Sequence, residues 1–96
     1  MPKAYWIAHV EVTDPETYAK YAVIATEAIA AHGGEFLARS GRYKQLEGND
    51  RARNVVAVFP SLEDAVACYE SPRYQEAVGF AKLSSTRDLM VVEGVE

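Results

Sequence analysis

His9 sits in the stretch YWIAHVEV, residues 5–12, and is the one histidine of this sequence on a strand-like pattern. An imidazole titrates at about pH 6.5 and can act as a general acid or base near neutrality. To do so it needs an orienting polar group within about 3 Å. The other histidine, His32, precedes Gly33-Gly34. There an imidazole complements the C-terminal end of a helix, which is a structural role. Cys68 is the only cysteine, so an intrachain disulfide is excluded, and its helical setting predicts buried packing. Neither CxxC nor HExxH spacing occurs, so no metal site is expected. The glycines fall singly or in pairs and make no phosphate-binding loop.

The basic residues cluster. Between positions 39 and 53 stand Arg39, Arg42, Lys44, Arg51 and Arg53 against Glu47 and Asp50, five cations to two acids, in a chain of net charge −4. Such a segment is either a solvated hairpin or an anion-attracting rim. The acidic balance of the whole chain excludes general nucleic-acid binding, which needs a basic face. Arg39 shares strand parity with Leu37 and is expected near the sheet, where it needs a counter-charge. Glu47 or Glu93 would make that a structural ion pair. A carboxylate ligand is the functional version.

These side chains depend on the elements that carry them. Residues 4–12 alternate, with Trp6, Ala8, Val10 and Val12 on one face and Tyr5, Ile7, His9 and Glu11 on the other. Asp14-Pro15 opens a helix that presents Tyr18, Tyr21, Ala22, Ala25, Ala28, Ile29 and His32 on one side. Gly33-Gly34 ends it. Phe36–Arg39 reads as a strand that Tyr43–Glu47 extends after a kink at Ser40-Gly41, and Gly48-Asn49-Asp50 reads as a turn. Asn54–Phe59 is nearly all apolar and is expected at the sheet centre. Ser61 with Asp64 three residues on caps a second helix, whose face is Leu62, Ala65, Val66 and Tyr69. Ser71-Pro72 breaks that helix and starts another piece facing inward with Tyr74, Ala77, Val78 and Ala81. Residues 88–95 close as a strand, with Leu89, Val91 and Glu93 alternating against Met90 and Val92.

The order β-α-β-β-α-β over residues 1–96 predicts a single α+β domain of ferredoxin-like plan. Its antiparallel sheet has the order 4-1-3-2, with both helical regions on one face. The opposite face, expected to carry Tyr5, Ile7, Leu37, Val91 and Val56 or Val58, is then bare. A contiguous apolar patch of several hundred Å² is unusual in a monomer. A second copy related by a two-fold axis would cover it, so a homodimer with facing sheets is expected.

The segments YWIAHVEVTDPETYAKY, GGEFLARSGRYKQLEG, RNVVAVFPSLEDAVACYESPRYQEA and DLMVVEG resemble, in order and spacing, the small bacterial family called domain of unknown function 1330. The resemblance covers nearly the whole chain. Members often carry an arginine late in the second helical region, where this chain has Lys82. The resemblance implies the dimeric α/β-barrel superfamily, in which two ferredoxin-like subunits join their sheets. Its relatives include cofactor-free monooxygenases of aromatic compounds, muconolactone isomerases, haem-binding enzymes and ligand-sensing domains.

A shared fold does not transmit a reaction. The residues themselves point to His9 as the first catalytic candidate. The antiparallel neighbours of its strand should bring Asn54 and Asp88 near it. Arg39, Asn54, Tyr5 and Tyr43 are the ligand-binding candidates. The expected activity is binding or transformation of a small aromatic or carboxylate compound without a tightly bound cofactor, with His9 as base and Arg39 as anion anchor. The alternative is a non-catalytic dimeric module that senses a ligand or stabilises an assembly. A haem role would require His9 or His32 as proximal ligand. With no apolar run near the ~20 residues of a membrane span and no signal-peptide pattern, a cytosolic protein is expected.

Overall fold

A computed structural model describes residues 2–96. The described residues form β1 (Ala4–Val12), α1 (Pro15–Ala31), β2 (Glu35–Arg39), β3 (Arg53–Phe59), α2 (Leu62–Glu70), α3 (Pro72–Ser84) and β4 (Ser85–Glu93). The sheet is antiparallel in the order β2-β3-β1-β4, the expected ferredoxin-like plan. No helix among these residues is long and apolar enough to cross a membrane.

Local chemistry sets the boundaries. The Asp14 carboxylate accepts from the Thr17 amide and, at 2.8 Å, from the Thr17 hydroxyl, while Pro15 supplies a pre-set first helical residue. Gly33 ends α1 at φ +81°, a conformation that favours glycine. The Ser61 hydroxyl accepts from the Asp64 amide at 3.1 Å and starts α2. Ser71 serves two helices: its hydroxyl donates to the Cys68 carbonyl at the end of α2 and accepts from the Tyr74 amide at the start of α3. His32 bonds the Ala28 carbonyl through Nδ1, the end-of-helix role its position suggests.

The core lies between the sheet and the helices. Trp6, Ala8 and Val10 of β1 and Val55, Ala57 and Phe59 of β3 are buried against Tyr21, Ala25 and Ile29 of α1 and Tyr74, Ala77 and Val78 of α3. The Trp6 ring meets Tyr74 edge-on, with centroids 5.1 Å apart. Glycine spares a clash at Gly34, where an added Cβ would lie 2.6 Å from Ile29 and 2.8 Å from Phe59.

Four details depart from the sequence reading. Tyr43–Glu47 is loop rather than strand, because β2 ends at Arg39 and Ser40 turns into the left-handed region at φ +58°. On β4, Val91 pairs with Trp6 and faces the helices with Leu89, so Met90 and Val92 occupy the opposite face. On α2 the buried residues are Ala65 and Cys68, while Val66 and Tyr69 remain exposed. Finally, β2 carries a bulge: Phe36 pairs with Ala57 but Ala38 pairs with Val56, leaving Leu37 as the extra residue.

Candidate functional site

The face of the sheet away from the helices has an apolar end and a polar end. Tyr5 stands between Val58 and Val92, and Ile7 between Val56 and Met90. Met90 is 51% exposed and Val92 43%, so this apolar end is bare. Two residues further along β1, His9 stands between Asn54 and Asp88. Its Nδ1 is 2.6 Å from the Asn54 Oδ1, which sets Nδ1 as the donor. Asn54 in turn donates to the Arg51 carbonyl at 3.0 Å. Arg51 reaches Asp88 at 2.7 Å. Because β1 separates β3 from β4, this ion pair passes over β1 beside His9. His9 and Asn54 therefore meet, as antiparallel neighbours should. Tyr5, four residues from His9 along the strand, is about 13 Å away.

The other side holds a different constellation. Val10 is flanked by Arg53 on β3 and Arg87 on β4, both turned toward α1. The Arg53 guanidinium lies 5.3 Å from the Tyr18 ring and donates to the Ser40 hydroxyl at 2.8 Å. Arg87 lies 4.6 Å from the Tyr21 ring and donates to the phenol oxygens of Tyr21 and Tyr74 at 2.8 and 3.2 Å. Those two phenols are 2.7 Å apart, one donating to the other. Burial first, and the adjacent Tyr21 next, push the Tyr74 phenol well above the ordinary tyrosine range, so it stays protonated.

Arg39 joins this side, not His9. With an unbroken ladder, Glu35 opposite Val58 would put Arg39 opposite Asn54 on the bare face. The bulge at Leu37 moves it opposite Val55, whose side chain faces α1. Arg39 then donates to the Thr26 hydroxyl at 3.0 Å and stacks 4.5 Å over Phe36. Neither Glu47 nor Glu93 pairs with it, so the expected ion pair is not formed; β2 is an edge strand, and aromatic and hydroxyl partners take the cation instead. The proposed cooperation of His9 and Arg39 in one cleft is likewise corrected, since the sheet lies between them. Tyr43 stands in the 40–52 loop and donates to Asp50 at 2.6 Å; it does not line the cleft that holds Arg39 and Arg53.

Between α1 and the sheet lies a cleft lined by the aromatic rings of Trp6, Tyr18, Tyr21 and Phe36 and by Arg39 and Arg53. Its outline spans about 350 Å³ counting the space open to solvent, and its free interior is close to that of a single water molecule. Sequence reasoning counted Arg53 only within the basic 39–53 segment and overlooked Arg87. Their signal was available: Arg53 continues the Val55, Ala57, Phe59 parity, and Arg87 continues that of Leu89 and Val91.

The sequence matches the family described as domain of unknown function (DUF1330) over residues 3–95. The chain belongs to that family. This DUF1330 chain is similar in fold to RPA0582, a protein of unknown function from Rhodopseudomonas palustris, with TM-score 0.82 and 17% identity over 99% of this chain and 84% of that one. It is similar also to a dimeric ferredoxin-like protein of unknown function from Jannaschia sp. CCS1, with TM-score 0.74 and 12% identity over 96% and 99% of the two chains. A third similar structure is SnoaB, a cofactor-independent oxygenase from Streptomyces nogalater, with TM-score 0.66 and 14% identity over 100% and 96%. At these identities the likeness is one of fold. No curated protein matches the sequence.

Proposed function

We propose that this DUF1330 protein is a homodimer that binds a small aromatic compound in the cleft between α1 and the sheet, without a tightly bound cofactor. The observation that carries this is the cleft lining: four aromatic rings and two arginines, with no carboxylate side chain among them. Aromatic walls with a few convergent polar groups are the usual make-up of a small-molecule site. Stacked guanidiniums and phenols offer donors to an oxygen-bearing ring. Similarity in fold to a cofactor-independent oxygenase supports the same reading. The bare face with Ile7, Val56, Met90 and Val92, together with the dimeric relative, supports the homodimer.

The small free interior of the cleft favours a second reading, a non-catalytic module that senses its ligand by opening. In either case His9 serves the opposite face.

The test is a titration of the labelled protein with phenol and benzoate, followed by NMR at Tyr18, Tyr21 and Phe36. Saturable shifts at these rings are expected, together with their loss in Ala22→Trp, which fills the mouth. Rings that respond to neither compound overturn the proposed site. Turnover of a bound compound under air would favour the enzyme over the sensor.

A further inference from the structure

We infer that the ligand carries a carboxylate, held at the mouth of this cleft between Arg39 and Arg53. The inference rests on reading the cleft as the ligand site and names the class of compound that site selects.

The first observation is the company these arginines keep. Arg51 has Asp88 as its carboxylate partner, and Arg73 has Glu27 and Glu76. Arg53 has only the neutral Ser40 hydroxyl and the face of Tyr18. Arg39 has only the Thr26 hydroxyl and the face of Phe36. The Thr26 hydroxyl spends its own proton on the Ala22 carbonyl at 2.7 Å, so it meets Arg39 purely as a neutral acceptor. Among the described lysines and arginines only Arg51 and Arg73 have a carboxylate partner, and Arg39 and Arg53 are the two unpaired ones that line this cleft. Arg39 is exposed and Arg53 only partly buried, so solvent screens part of their repulsion, and an anion bound between them removes more of it.

The second observation is an unmet donor. Arg53 Nε is the one buried side-chain nitrogen or oxygen among the described residues with no hydrogen-bond partner. Buried donors are almost always satisfied, so a lone exception in a candidate site points to a missing acceptor.

The third is the backbone that creates the pair. The Leu37 bulge turns Arg39 inward. Directly after it, Ser40 adopts φ +58°, which non-glycine residues seldom do, and its hydroxyl meets Arg53. A bulge and a left-handed residue in succession, both ending on the same two guanidiniums, fit a built site better than a chance loop.

A carboxylate fits for reasons of shape and access. The planar guanidinium fork matches a planar carboxylate in two parallel bonds. The cleft opens to solvent and Arg39 is exposed, so a carboxylate can reach both guanidiniums from the open side while the ligand's apolar body lies over the aromatic lining.

The experiment follows the Arg39 and Arg53 Nε–H signals of the labelled protein in low-chloride buffer during titration with acetate, benzoate and benzamide. Benzoate should shift both signals saturably and bind at least tenfold tighter than its neutral isostere benzamide. Acetate should shift the same signals more weakly. Arg39→Gln and Arg53→Gln should each weaken benzoate at least tenfold and benzamide by a clearly smaller factor, and Arg39→Lys should recover only part. Should a variant fail to fold, the titrations of the unaltered protein decide alone. Equal binding of benzoate and benzamide with silent arginines overturns the carboxylate assignment and leaves the aromatic cleft standing. Acetate shifting both arginines while no aromatic compound binds does the reverse. Silence of both arginines toward both acids overturns the assignment outright.

Discussion

Arg39 stands opposite Val55, one step from the Asn54 that a regular ladder would place beside it. That single step carries the guanidinium from the bare face of the sheet to the face beneath α1. It separates His9 from Arg39 and joins Arg39 to Arg53. The chemistry available on each face follows from it: a polar His9–Asn54 corner on one side, and an aromatic, cationic cleft on the other.

His9 should therefore be dispensable for ligand binding in the cleft. His9→Ala is expected to leave benzoate affinity within twofold, measured by the same NMR titration. A loss of tenfold or more would mean that the two faces communicate and would restore His9 as a site residue.

The bare face predicts the oligomeric state. Light scattering at micromolar concentration should give about twice the 10.6 kDa chain mass. Ile7→Lys places a charge at the centre of the apolar end, between Val56 and Met90, and should yield a monomer. A monomeric unaltered protein would refute the proposed homodimer.

Tyr21 and Tyr74 share one hydrogen bond and one arginine. Tyr74→Phe should cost about 1–2 kcal/mol in urea denaturation, the usual range for a lost buried hydrogen bond. Tyr21→Phe should cost less when Tyr74 is already Phe, because the first change has removed the shared bond. Strict additivity in the double-mutant cycle would show that the phenols act independently.

Burial pushes the Cys68 thiol up to about 11. In the unfolded chain a thiol ionises at about 8.5. Above that value the unfolded state loses a proton that the folded state keeps. The Cys68 contribution is thus intact below about pH 8.5 and declines as pH rises toward 11. Cys68→Ala should flatten the decline, seen as a smaller drop in unfolding free energy between pH 8 and pH 10, both about these values. Tyrosine ionisation is common to both proteins and cancels in the comparison. Identical pH dependence in the two proteins would place the alkaline sensitivity elsewhere.

Gly34→Ala should be among the costlier single substitutions. Its Cβ would enter the space of Ile29 and Phe59, both buried. Overpacking of this kind costs about 1–3 kcal/mol. Thermal unfolding should show a lowered midpoint with the fold retained, and a midpoint at or above that of the unaltered protein would show that Phe59 yields freely.

Much of this molecule is written in local pattern. Alternation in YWIAHVEV sorts Trp6, Ala8 and Val10 from Tyr5, Ile7 and His9, because successive strand residues point to opposite faces. Asp14-Pro15, Ser61 and Ser71-Pro72 mark helix starts because their hydroxyls or carboxylate must take up orphan amides. The strand order then makes Asn54 and Asp88 the neighbours of His9, and both stand there. Tertiary structure decided what one-residue differences govern. A bulge depends on how two strands settle against each other and against a helix, so no residue type in EFLAR announces it. Its position set the face of Arg39. The 40–52 loop closed through the contacts of Tyr43 with Asp50 and Arg51 with Asp88, which span residues that sequence spacing does not relate. Alternation could place Arg53 and Arg87 under α1, but only the packed helices show that tyrosines, and no carboxylates, meet them there.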